Sequence, residues 1–302
     1  MATTLEPPTA NTAISTHEYH AEAHVLDGEL HRPIQQKIVR QAPVTLHDRR
    51  GGHITRVTNE VNIEGLVSFT KGQTRVSGAR SVKTNGWVTL STSILEGFNI
   101  FEIVSADRVV SQVSTEHPPE NGHFPHVTFL GTQFNNFAIS GIPVSLTLDY
   151  GICGKRPERD KSYLQDREFL RRIKDQTKGI TKADGLPKAL KEQYDEKLDY
   201  IEELIGGCDE PEKGAHKPIT CSLVQSIGKI PIPGVEAFGH VLVIPEFGRL
   251  ALGEIEVGEQ VYDGSDRPCI YFKLTGFGIN MGCVGDATAA APTASANGRH
   301  YP

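Results

Sequence analysis

Ile142-Pro143-Val144-Ser145-Leu146-Thr147-Leu148 alternates apolar and polar side chains at period two, the spacing that sends neighbours to opposite faces of an extended strand. Ile142, Val144, Leu146 and Leu148 share one face, and Ser145 and Thr147 share the other. Pro143, which has no N–H to give to a ladder, places the stretch at a sheet edge or a strand start. Val61 to Phe69, Trp87 to Ile94, Arg108 to Thr115 and Val127 to Phe134 have the same character, rich in β-branched or aromatic residues and separated by Gly, Asn, Pro or Asp. Short strands this close together leave no room for crossover helices, so they pair antiparallel. The expected fold is mainly β, an antiparallel β-sandwich or barrel.

Downstream the period changes. Between Lys161 and Gly206 the apolar residues Leu164, Phe169, Leu170 and Ile173, then Leu190, Tyr194, Leu198, Ile201 and Ile205, recur at helical spacing among charged neighbours. With Pro187 near one start and Gly206-Gly207 as a stop, this predicts two amphipathic helices inserted between β regions. Strand patterning returns at His240 to Ile244, Leu250 to Val257 and Ile270 to Thr275. In the second of these the apolar set changes face near Gly253, the signature of a bulge at that glycine.

The segment Phe129 to Phe134 can be laid on Phe272 to Phe277, and Ile103 and Arg108 on Ile244 and Arg249. These matches raise the possibility of two related β units flanking the insertion. The organisation expected along the chain is a flexible N-terminal arm (1–24), a β region (25–154), the charged helical insertion (155–207), a second β region packed on the first (208–285) and a flexible, Ala-rich C-terminal tail (286–302). The tails carry no hydrophobic periodicity. Their small residues would alternatively suit ordered arms lying on a neighbouring subunit.

The 302 residues carry 31 Lys and Arg against 37 Asp and Glu. No basic cluster is interleaved with aromatics, which argues against a nucleic-acid partner. No apolar run is long enough for a transmembrane helix, and Met1 to Thr16 has neither a basic nor an apolar stretch of a targeting peptide. The expected location is the cytoplasm, with export by a non-classical route as the alternative. Five cysteines without C-x-x-C spacing read as reduced thiols; a Cys208–Cys221 or Cys269–Cys283 bridge is conceivable only outside the cell.

Signatures of nucleophile elbows, phosphate loops and H-E-x-x-H zinc helices are absent from the sequence. Histidine is the most suggestive polar residue. His17, His20 and His24 in HEYHAEAH would share a face if that segment were helical. Glu116, His117, His123 and His126 cluster in a Pro-rich stretch between two strands, where three imidazoles and a carboxylate would suit Zn²⁺ or a general base. Prolines 118, 119 and 125 hold that stretch extended and work against convergence. No cofactor is expected, with Zn²⁺ at the Glu116 to His126 loop as the alternative. The expected function is a non-enzymatic binding or self-associating protein, a homo-oligomer. The alternative is a small-molecule carrier or metal-dependent enzyme on a β-barrel that uses the Glu116 to His126 loop.

Overall fold

The computed structural model describes residues 16–30, 35–120, 124–158, 161–208, 216–260, 269–281 and 287–301. In chain order its strands begin with β1 (Thr16–His24), β2 (Asp27–Leu30), β3 (Gln36–Ile38), β4 (Val44–Asp48), β5 (Gly52–Thr58), β6 (Val61–Ile63), β7 (Val67–Phe69) and β8 (Lys71–Arg80). There follow β9 (Trp87–Ile100), β10 (Val104–His117), β11 (His126–Thr128), β12 (Gln133–Asn135), β13 (Ala138–Ile139), β14 (Ile142–Pro143) and β15 (Leu146–Leu148). Helices α1 (Arg167–Thr181) and α2 (Lys188–Gly207) precede β16 (Ile219–Ser222), β17 (Val224–Ile227), β18 (Glu236–Phe238), β19 (Val241–Ile244), β20 (Gly248–Gln260), β21 (Cys269–Met281) and β22 (Ala287–Tyr301).

The strands form two large antiparallel sheets packed as a sandwich. One runs β18-β19-β20-β21-β22-β1-β4, with β16 on β20 and β2 and β3 joined at β22. The other runs β14-β13-β10-β9-β7-β6, with β11 and β12 on β10, β8 on β9 and β5 on β8. Neither sheet closes, so the sandwich is the correct member of the expected pair and the barrel is not. The first sheet takes strands from both ends of the chain, β1 to β4 joining β16 and β18 to β21 through β22.

The opening stretch keeps its alternation but not its unity. Pro143 ends β14, the Val144 amide still donates to Phe137, and the Ser145 carbonyl accepts instead from Gly228 as the chain crosses to pair β15 with β17. Val61 to Phe69 is likewise a tight hairpin, β6 and β7, turned at Glu64-Gly65. Phe101-Glu102 and Ser140-Gly141 turn two more hairpins, and all six residues have positive φ, as two-residue turns matching the strand twist require.

Between the sheets a central core gathers Leu95, Phe98, Val109 and Phe137 from one side and Leu250, Leu252, Phe277 and Ile279 from the other. Gly253 has φ +58°, and the β20–β21 pairing skips from Leu252↔Phe277 to Glu254↔Thr275. The bulge therefore exists, and it reverses which side chains reach the core. The two aligned segments occupy comparable places: Phe129 and Phe272 lie in a second core under the helices, while the Phe134 and Phe277 rings meet at 5.5 Å.

The helices fold as their spacing indicated. Asp166 caps α1, its Oδ1 accepting from the Glu168 and Phe169 amides at 2.8 and 3.0 Å, which satisfies donors the first turn leaves over. Phe169, Leu170 and Ile173 enter the second core with Ile201 and Leu204 of α2. No helix among the described residues is long and apolar enough to cross a membrane.

The two ends depart most from expectation. Residues 1–15 and 302 lie outside the described residues, but Thr16–His24 is strand β1, not a flexible arm, and Ala287–Tyr301 is strand β22, lying between β21 and β1. Its small side chains have a packing reason. Ser111 Oγ donates to the Pro292 carbonyl at 2.7 Å, and Ser91 and Ser93 donate to the Glu22 and His24 carbonyls at 2.6 and 2.8 Å, so the facing sheet approaches β22 and β1 to side-chain-to-backbone distance. Larger residues at Ala291, Ala294 and Ala296, all fully buried, would hold the sheets apart. Gly78 serves the same approach, since a Cβ there would fall 2.5 Å from the Tyr19 ring.

Cys153, Cys208, Cys221 and Cys269 are buried; Cys221 is a free thiol, so the conceivable Cys208–Cys221 bridge is not made. Cys283 lies outside the described residues. Burial, reinforced by the charge of Glu254, pushes the Cys221 thiol up to about 12, which leaves almost no thiolate for exchange.

Candidate functional site

Strand geometry sorts the HEYHAEAH segment into two faces. His17, Tyr19, Ala21 and Ala23 turn toward the second sheet, where the His17 ring stacks 5.3 Å from Trp87 and sits 4.7 Å from the His117 ring. Glu18, His20, Glu22 and His24 take the opposite face. The helical spacing imagined for His17, His20 and His24 is thus replaced by an extended one, and His17 parts from the other two.

Cross-strand register then builds a polar floor. Glu22 lies opposite Thr45 of β4 on one side and Ser295 of β22 on the other, and Ser295 lies opposite Lys273 of β21. His20 is opposite His47. Around this floor is a groove of about 340 Å³, bordered by His20, Glu22, His24, Asp27, Arg40, His47, Tyr271, Lys273, Thr293 and Ser295. Tyr271 crosses Gly258, where a Cβ would strike its ring, and donates to Glu256 Oε1 at 2.7 Å.

At one end His24 Nε2 lies 3.2 Å from Asp27 Oδ1, and Arg40 Nε reaches Asp27 Oδ2 at 3.3 Å. Burial alone would raise the Asp27 carboxyl, but the hydrogen bond and charge of His24 and the Arg40 guanidinium outweigh it and hold the group below its ordinary value. At the other end His47 Nε2 is 3.0 Å from Glu18 Oε1, His20 Nε2 is 3.9 Å from Glu18 Oε2, and the two imidazole centroids are 4.2 Å apart. Glu18, His20 and His47 bring one donor atom each within 4.8 Å of one another.

A second polar group lies under α2. Tyr194 Oη is 3.1 Å from His240 Nε2, which is 3.7 Å from Glu254 Oε1, and Lys197 Nζ stands 4.6 Å over the Tyr194 ring. Burial acts to raise the Glu254 carboxyl, yet hydrogen bonding and charge from His240, with Lys197 and Lys273, leave it lowered. Burial pushes the Tyr194 phenol up. This arrangement ties the insertion to β20.

Both lowered carboxylates make the fold acid-sensitive in a definite direction. A carboxyl held below its unfolded value adds stability above that value, lost as pH falls through the folded one. The thermal midpoint is therefore expected to drop once pH goes below the ordinary values of 4.5 for Glu254 and 3.8 for Asp27. Calorimetry of Asp27→Asn should give a shallower decline; an unchanged slope would remove Asp27 from the account.

The histidine-rich loop is arranged differently from its sequence spacing. Glu116 and His117 are neighbours on β10 and face opposite sides. His117 is buried against His17, whereas Glu116 accepts from Thr84 Oγ1 at 2.5 Å and pairs in register with His126. His123 lies outside the described residues. Among the described residues, the donor atoms that gather within reach of one ion are those of Glu18, His20 and His47, and not those of Glu116, His117 and His126. The barrel that was to carry this loop is likewise absent, because neither sheet closes. His47 was missed because it shares no motif with Glu18 and His20. The polar and apolar alternation of His17 to His24 was the available signal for the strand that holds them.

Fold and groove together define an antiparallel β-sandwich with a two-helix insertion and one polar, concave sheet face. Residues 17–258 match the family described as Domain of unknown function (DUF8256), and the chain belongs to that family. The matched region contains β1, β4 and both helices and stops before β21 and β22. No curated protein and no solved structure matches the chain.

Proposed function

We propose that the chain is a non-enzymatic binding protein that takes a small polar ligand in the groove over β22, β1 and β21. The observation that carries this reading is the convergence of His24, Asp27, Arg40, Lys273 and Ser295, from separate elements, on one concavity whose volume is that of a small-molecule site. Both signs of charge border it, so the ligand chemistry it suits is zwitterionic or anionic with hydroxyl or amine donors. The buried free thiols of Cys153 and Cys221 accord with residence in the reducing cytoplasm.

A thermal-shift screen of amino acids, small carboxylates and sugars tests this. A true ligand at a hundredfold excess over its Kd adds about 2.7 kcal/mol of stability. Lys273→Ala should abolish the shift, measured from that variant's own unliganded midpoint. If no member shifts the midpoint, or if Lys273→Ala responds as the parent does, the groove reading fails.

Self-association is a second reading, favoured by one feature. Among the described residues strand β5 pairs only with β8, every residue from Gly52 to Val57 is exposed, and Ile54 and Val57 stand among its exposed apolar side chains. An open, partly apolar edge of this kind is a template for a further strand. A homo-oligomer joined at β5 would show in light scattering as a mass above that of one chain.

A further inference from the structure

We propose that Glu18, His20 and His47 form a binding site for a divalent transition-metal ion, Zn²⁺ by its chemistry, at the end of the groove. Two imidazoles and one carboxylate are the borderline nitrogen and oxygen donors that suit Zn²⁺ and its late first-row neighbours and not Mg²⁺ or Ca²⁺. The inference stands on these three side chains and requires no groove ligand.

The geometry arises from register. His20 and His47 are directly opposite on the adjacent antiparallel strands β1 and β4, and Glu18 is two residues from His20 on the same face. Such positions bring side chains together without a loop. Ligand bonds of the usual length place neighbouring donors of a tetrahedral zinc about 3.3 Å apart. The observed separations, 3.0 Å for Glu18 to His47 and 3.9 Å for Glu18 to His20, bracket that value, and all three donors lie within 4.8 Å. Side-chain rotation closes the difference with the backbone left in place.

The surroundings suit entry and retention. His20 is 7% exposed, held by a strand that is paired on both sides, whereas the His47 side chain is 57% exposed and opens a path from solvent. His20 and His47 both border the groove, so an ion held by them lies at its edge. A surface ion pair between Glu18 and His47 would share the short distance, but it would not need the second imidazole ring 4.2 Å from the first.

The test uses the full chain, free of any affinity tag and stripped with a chelator, titrated calorimetrically with Zn²⁺ alone at neutral pH. One Zn²⁺ per chain with a micromolar or tighter Kd is expected, together with a higher thermal midpoint. The same protein loaded with Co²⁺ should show the visible bands of tetrahedral coordination. His47→Ala, at an exposed position that leaves the sandwich folded, and Glu18→Gln should each weaken binding roughly tenfold or more, whereas His126→Ala should bind as the parent does. The proposal is overturned if Zn²⁺ gives no binding, if His47→Ala keeps the parent affinity, or if His126→Ala is the variant that loses the ion.

Discussion

Removing residues 287–302 is expected to abolish the fold, leaving a chain with no cooperative thermal transition and no native near-ultraviolet circular dichroism. Strand β22 pairs with β1 from Thr16 to His24, with β2 from Asp27 to Leu30, and with β21 from Tyr271 to Met281 apart from a skip at Gly276. Without it the first sheet separates into three pieces with unpaired edges, β16 with β18 to β21, β1 with β4, and β2 with β3. Phe272, Leu274 and Phe277, fully buried in the intact chain, would lose the strand beside them. The Ser111 hydroxyl of the facing sheet would also lose its acceptor at Pro292, and an abandoned buried hydroxyl costs about 1–3 kcal/mol. These losses together exceed the 5–15 kcal/mol of a typical domain. A flexible tail or an intermolecular arm would behave differently: its removal would preserve the fold and alter only the assembly state. A truncated chain that melts at the parent temperature would therefore disprove the central placement of β22.

Phe277→Ala is expected to lower the unfolding free energy by about 3–5 kcal/mol, the range for truncating a large buried aromatic residue. The ring is fully buried and lies where the sheets meet, with centroids 5.3 Å from Phe98 and 5.5 Å from both Phe134 and Phe137. It follows directly on the skip that reverses the faces of β20 and β21, so it heads the run of β21 side chains, with Ile279 and Met281, that enters this core. Urea denaturation measures the loss as a lower midpoint at unchanged slope. Phe277→Leu, which keeps most of the volume, should lose distinctly less. A loss below about 1.5 kcal/mol for the alanine variant would place the ring outside the core, because that is the ordinary cost of a volume-conserving exchange.

Much of the architecture was readable because side-chain contrast reports burial locally. Leu250 to Val257 announced both a strand and its bulge, since Gly253 separates two runs of alternation that are out of phase. Leu164 to Ile173 and Leu190 to Ile201 announced helices, because a three-to-four spacing makes a stripe only on a helix. The strand from Ala287 to Tyr301 was invisible for the same reason: Ala, Thr and Ser offer no apolar and polar contrast. Its conformation is imposed by β21 and β1 on either side, and its composition answers to the closeness of the facing sheet. HEYHAEAH did carry a period-two signal in Tyr19, Ala21 and Ala23, but the three- and four-residue intervals between its histidines invited a helical reading.

By itself, the sequence determined an antiparallel β protein with two inserted helices and a bulge at Gly253, because each of these depends on residues close together in the chain. The tertiary structure alone decided that the sheets stay open, that the two ends of the chain meet in one sheet, and that Glu18 and His20 find His47. Those partners are joined by strand register, which sums pairing and packing over the whole sheet, and no short stretch of residues encodes that sum.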